Sequence, residues 1–136
     1  MTRLLSLSLA TLLALAPFAA LAEAEVDWNA HKDVETVVIV TADEDGTPRE
    51  TTIWLCVVDG KGYVRGGSGR WVANTARNGD VGLRVGESEL VVHAMQVTDA
   101  AEIERVTAAY HEKYGFGDTL AGIVRGEPTI FRLTSR

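Results

Sequence analysis

The residues best placed to do chemistry gather in one stretch, Tyr63 to Asn78, with the sequence YVRGGSGRWVANTARN. It reads as a strand that runs into Gly66-Gly67-Ser68-Gly69 and leaves as a short helix beginning near Arg70 and Trp71. Glycines on both sides of a serine let the backbone turn tightly and keep bulk away from whatever lies above it. Ser68 is placed to cap the helix by accepting a hydrogen bond from an amide of its first turn. Free amides at a helix N-terminus, with Arg65 and Arg70 beside them, make an anion site. Trp71 adds a flat apolar surface at the same corner. An anion cradle next to an aromatic face suits a phosphorylated ring compound such as a nucleotide. The same residues also describe a glycine-rich hairpin corner with two solvated arginines, and the motif alone does not choose.

Other chemistries fit less well. A phosphate-binding loop of the nucleotide-hydrolase kind ends in Gly-Lys-Ser/Thr, which Gly69-Arg70-Trp71 does not supply. A dinucleotide fingerprint needs a glycine where Val72 stands and a parallel strand-helix-strand unit. A serine nucleophile elbow needs a glycine where Arg70 stands. His31, His93 and His111 are scattered and lack metal-ligand spacing. The carboxylates read as turn residues, Asp43 to Asp45, or as solvated helix charges, Glu102, Glu104 and Glu112. Thr51-Thr52-Ile53-Trp54 lies on a strand whose side chains alternate between faces, with Arg49 on the same face as Thr51. A ligand role for Arg49 and the threonines stands beside a plain reading: an edge strand with a solvated arginine and a core Trp54.

The elements that must hold these residues are mostly strands. The β-branched run Val34 to Thr41 reads as a buried strand. Asp43-Glu44-Asp45-Gly46 is a turn, and Pro48 permits only the start of the strand that Arg49 to Val58 supplies. Asp59-Gly60-Lys61-Gly62 turns the chain into Tyr63-Val64-Arg65. The helix Arg70 to Arg77 ends at Asn78-Gly79, a pair suited to a left-handed cap. Val81 to Val85 and Glu89 to Val97 are strands. A second helix follows Asp99, with Glu102 three residues on as in a capping box, Ile103, Val106 and Tyr110 along its apolar face, and Gly115 as its stop. Phe116 to Gly126 is glycine-punctuated and takes no assignment; Pro128 to Leu133 is a last strand. Short turns favour antiparallel pairing, so the expected fold is mainly β: a small, partly open, six-stranded antiparallel barrel with two flanking helices.

The 136 residues predict one small domain, 46% apolar and 24% charged. Residues 1–22 read as a signal peptide: one charge at Arg3, an apolar run Leu4 to Ala16, Pro17, and Ala20-Leu21-Ala22 before the cut. The run is too short for a membrane anchor, which needs about 20 residues. Residues 23–33 form a polar lead-in containing Trp28, and 34–136 the barrel domain. Losing Arg3 makes the exported, periplasmic chain more negative than its formal −6, which disfavours nucleic acid as a partner. Cys56 is the sole cysteine, so no internal disulfide forms, and its apolar run predicts a buried, inert thiol.

From Pro48 to Asp99 and on through IERVTAAYHEKYG, the pattern resembles the flavin-mononucleotide-binding split-barrel superfamily. That superfamily includes pyridoxamine 5'-phosphate oxidase-like proteins and deazaflavin-dependent nitroreductases; the likeness is strongest to a short, uncharacterised bacterial family within it. It rests on the combination of an R-x-x-x-x-W strand, a strand ending in Y-V-R, the glycine–serine loop with R-W, and the strand end before Thr98-Asp99. The resemblance implies a six-stranded split barrel, a homodimer, and a flavin site at the subunit interface. It implies cofactor-binding roles for Arg49, Thr51, Thr52, Arg65, Gly67, Ser68, Arg70 and Trp71, with FMN as the cofactor and deazaflavin or haem as alternatives. The implied function is an exported FMN-dependent oxidoreductase of unidentified substrate, the alternatives being a non-catalytic ligand-binding protein and a ligand-free envelope protein.

Overall fold

The computed structural model describes residues 25–115 and 128–136. The signal peptide, its cut after Ala22, and the segment Phe116 to Gly126 with Arg125 lie outside the described residues. The described residues form six strands and two α-helices: β1 (Thr36–Ala42), β2 (Pro48–Val58), β3 (Lys61–Gly66), α1 (Arg70–Arg77), β4 (Asp80–Val85), β5 (Ser88–Gln96), α2 (Ala100–Tyr114) and β6 (Thr129–Ser135). A 3-10 turn, Trp28–His31, precedes them. The strands are antiparallel in the order β1-β2-β3-β6-β5-β4, and β1 pairs with β4 to close the barrel. The mainly β, six-stranded antiparallel architecture is the expected one, and the closure goes beyond a partly open sheet.

Alternation along the strands fills the interior. Val37 and Ile39, Ile53 and Leu55, Val64, Val81 and Leu83, Val92 and Ala94, and Phe131 and Leu133 point inward and are buried. The two ends of this core are finished by tryptophans that sit on glycines of β3. A Cβ on Gly62 would lie 2.5 Å from Trp28 Cε3, and one on Gly66 would overlap the Trp71 indole. Gly62 and Gly66 flank inward-facing Val64 on the same side of the strand, so the absent side chains are what admit both rings. The lead-in residue Trp28 is therefore core, only 5% exposed.

Outside the barrel, a second cluster of Cys56, Tyr63, Val97, Val106, Tyr110 and Ile130 lies beneath α2. Asp99 caps α2 by accepting from the Glu102 amide at 2.9 Å. Gly115 ends the helix at φ 62°. The buried stripe of α2 is Glu102, Val106 and Tyr110, while Ile103 is 37% exposed, so the apolar face begins on a carboxylate. Glu102 is not a solvated charge: it accepts from Tyr63 Oη at 2.7 Å and from Arg132 Nη1 at 2.8 Å on both oxygens.

The ends of α1 also depart from expectation. Its N-cap is Gly69, with no side-chain cap hydrogen bond, so Ser68 does not cap it. Its C-cap Asn78 is extended at φ −143°, not left-handed. Gly79 is required for a different reason: a Cβ there would lie 2.5 Å from the Ala94 carbonyl oxygen. The amide of Ala94 instead donates to Gly79 O at 2.7 Å, drawing the chain after α1 against β5.

A Gly66→Ala substitution should destabilise the fold by about 1–3 kcal/mol, the usual cost of overpacking a filled core. Urea denaturation of the variant against wild type checks this, and an unchanged midpoint would mean that Trp71 is not seated on Gly66.

Candidate functional site

The glycine–serine loop joins the end of β3 to α1, and two of its glycines lie against Trp71. Gly66 makes room for Trp71, and a Cβ on Gly69 would lie 3.2 Å from Trp71 Cδ1. Trp71 is 5% exposed and packs with Phe131 at 5.9 Å between ring centroids. Its ring is part of the barrel core and offers no open face to a ligand. Gly67 is half-buried, while Ser68 and Arg70 are exposed. Arg65 points away from this corner to α2, where its guanidinium carbon lies 4.0 Å from the centroid of the Tyr110 ring.

The charge at this end of the barrel converges on Asp43, in the turn between β1 and β2. Arg49 donates through Nε to Asp43 Oδ1 at 2.8 Å and through Nη2 to Oδ2 at 3.0 Å. Asn74, buried on α1, donates to Asp43 Oδ1 at 2.8 Å and to Thr41 Oγ1 at 3.1 Å. Arg77 Nη2 donates to the Ala42 carbonyl at 2.7 Å and to Asn74 Oδ1 at 3.0 Å. The Arg49 hydrogen bond, then that of Asn74, brings Asp43 down to about 2, and Arg70 adds a weaker electrostatic pull. Asp43, Glu44, Asp45, Arg70, Asn74 and Arg77 line an open depression of about 440 Å³. The structure thus brings Arg49 and Arg70 to one corner, with Arg49 already paired.

Thr51 is half-buried and Thr52 exposed, one on each face of β2. They lie where the barrel wall divides. Pro48–Trp54 pairs with β1, whereas pairing with β3 covers only Leu55–Val58. At the change of partner, the single Tyr110 hydroxyl proton lies between the carbonyls of Trp54 at 2.9 Å and Tyr63 at 3.0 Å. Lys113 Nζ donates to Val34 O at 2.5 Å and Leu55 O at 2.9 Å, and the single Tyr114 hydroxyl proton lies between Leu55 O at 2.5 Å and Glu35 O at 2.6 Å. Trp54 is half-buried rather than core, and its ring stacks on Tyr114 at 4.2 Å and 4°. Burial lowers the Lys113 amine and raises the Cys56 thiol, while Tyr63 is pushed up to about 12 by burial and its bond to Glu102. His93 faces Asp80 at 3.0 Å.

Sequence reasoning missed Asp43, Asn74 and Arg77 as members of the corner. The available signal was the hairpin itself: Thr41 lies opposite Arg49 and Ala42 opposite Pro48, which puts the first turn residue within reach of Arg49.

Residues 28–130 match the model of a family described as "Uncharacterized protein conserved in bacteria (DUF2255)". No curated protein matches the chain. Among solved structures, the conserved hypothetical protein Rv2991 from Mycobacterium tuberculosis is 18% identical, with 87% of this chain and 79% of that chain covered and a TM-score of 0.64. The heme storage protein HutZ from Vibrio cholerae is 18% identical, with 79% and 86% covered and a TM-score of 0.64. A FAD-binding protein from Mesorhizobium loti is 11% identical, with 83% and 90% covered and a TM-score of 0.58. At these identities the likeness is one of fold, and fold does not carry function with it.

The Asp43 corner should leave a mark on acid stability. Its folded pKa is depressed from 3.8 to about 2, so its contribution is complete above 3.8 and is lost as pH falls toward about 2. Asp43→Asn should therefore flatten the fall in melting temperature over that interval. Circular dichroism melts across acidic pH check it; parallel profiles for variant and wild type would remove Asp43 from the acid response.

Proposed function

The chain belongs to the DUF2255 family of bacterial proteins, and on that footing we propose that it is an exported split-barrel protein that binds a flavin nucleotide, FMN in the first instance, and uses it as an oxidoreductase. The observation that carries the reading is the exposure of both Ser68 and Arg70 at the glycine loop, beside a depression that Arg70 and Arg77 line together with Asp43, Glu44 and Asp45. A hydroxyl and guanidinium groups suit a phosphate, and charge-assisted hydrogen bonds to such an anion are roughly twice as strong as neutral ones. The FAD-binding neighbour supports a flavin on this frame.

In this reading Ser68 and Arg70 hold the phosphate, and Arg77 adds positive potential while remaining tied to Ala42 and Asn74. The ring would lie outside the barrel, because Trp71 is an interior residue. A bound flavin supplies the electron or hydride transfer, and the chain's part is to bind and orient it. The likeness to a heme storage protein supports a second reading, a binding protein that takes a flavin, deazaflavin or haem without catalysis. Activity with a reduced donor separates the two.

Arg70→Ala should weaken FMN about tenfold to a hundredfold, the effect of losing a hydrogen bond to a charged group, and should spare riboflavin, which has no phosphate. Ser68→Ala should do less, and Arg105→Ala, loosely paired with Asp59 at 3.9 Å, should change little. Flavin fluorescence quenching reads all three variants. Equal weakening of both flavins, or no binding by wild type, would overturn the phosphate reading.

We propose further that the chain is cut after Ala22 and pairs as a two-fold homodimer. Native mass spectrometry of protein from the cell envelope should give chains beginning at Glu23 at twice the chain mass. A full-length chain would overturn export, and a monomer mass would overturn pairing.

A further inference from the structure

We infer that Asp43 is the resident counter-ion of the corner and sets its selectivity, withholding Arg49 from a ligand's phosphate and leaving that phosphate to Arg70. This rests on the ligand-binding reading above and goes beyond it, because it assigns a competing anion within the chain itself.

The geometry is that of an occupied anion site. Arg49 grips both Asp43 oxygens, at 2.8 and 3.0 Å, with the fork that a guanidinium would offer to two phosphate oxygens. Asn74 adds a donor at 2.8 Å. The Asp43 main chain is fixed as well, since its amide donates to Thr47 O and its carbonyl accepts from the Gly46 amide, both at 2.9 Å. Asn74 is itself fixed between Thr41 and Arg77, so it keeps its amide aimed at Asp43. Glu44 and Asp45 line the same depression and add negative charge. A phosphomonoester arriving beside Arg70 therefore meets an Arg49 already neutralised by Asp43. Affinity for phosphorylated ligands is thereby restrained, and the phosphate contributes less to recognition than two arginines suggest.

The test uses the whole mature chain and four proteins: wild type, Asp43→Asn, Arg49→Met, and the double variant. Each is titrated with FMN and with riboflavin by fluorescence quenching. Asp43→Asn should bind FMN about tenfold more tightly, as one charge-assisted bond becomes available, with riboflavin unchanged. The double variant should lose most of that gain, because Arg49 is the group released. An Asp43→Asn protein that binds FMN no better than wild type, or whose gain survives Arg49→Met, overturns the inference while leaving flavin binding intact. If neither flavin binds to any of the four, the flavin reading fails. Inorganic phosphate, followed through the arginine Nε resonances, then decides this one. A larger Arg49 shift in Asp43→Asn than in wild type supports it, and equal shifts overturn it. Should Asp43→Asn not fold, Asp43→Ser takes its place, since it removes the charge and keeps a hydroxyl for Asn74.

Discussion

The β2 strand changes partners midway, and the carbonyl groups left at the change govern how the molecule is assembled. Up to Trp54 the strand pairs with β1; from Leu55 onward it pairs with β3. The Leu55 amide still reaches Glu35 O, but β1 has ended and offers Leu55 O no donor in return. Three side chains of α2 answer this. The Lys113 amine donates to Val34 O and Leu55 O, the Tyr110 hydroxyl is shared between Trp54 O and Tyr63 O, and the Tyr114 hydroxyl between Glu35 O and Leu55 O. Most of these carbonyls are partly or fully buried, where an acceptor without a donor is costly, so the contacts favour one placement of α2. The apolar cluster around Cys56, Val106 and Ile130 follows from that placement, and Glu102 then meets Tyr63 and Arg132 at the other end of the helix.

The interior obeys a separate rule, that a closed barrel must be filled from its ends as well as its walls. Inward-facing residues line the walls. Trp28 and Trp71 fill the ends, each resting where a β3 glycine withholds a side chain. This bears on the reading of the glycine–serine loop. Gly66 is required by an indole ring and Gly69 is crowded by the same ring, so loop composition alone is not evidence for a ligand. What remains for recognition is polar: Ser68, Arg70 and the charges gathered around Asp43.

Much of the fold was legible in the sequence because it is local. The β-branched run Val34–Thr41, the strand start that Pro48 permits before Arg49–Val58, turn residues at Asp43–Gly46 and Asp59–Gly60, and the α2 stop at Gly115 each carry their own signal within a few residues. The errors lie where distant groups decide. Glu102 looked solvated because Tyr63 and Arg132 are far from it in the chain. Trp71 looked like an open surface because nothing nearby in sequence announces Phe131 or the clearance at Gly66. The candidate site shares this limit. Arg49 and Arg70 were visible as charges, but the geometry that joins them passes through Asp43 and Asn74, in different elements.

Barrel closure has a consequence for a chain made from its N-terminus. β6 lies between β3 and β5 and follows the other described strands in the sequence. Until Thr129–Ser135 has been made, the facing edges of β3 and β5 have no strand between them, and the hydrogen-bonding groups they present are the kind that recruit other chains. The Arg132 partner of Glu102 and the Phe131 partner of Trp71 arrive with the same strand. A nascent chain therefore holds these edges open until β6 is made, and that one strand supplies the closing pairing, the packing beside Trp71 and the cation beneath α2 together.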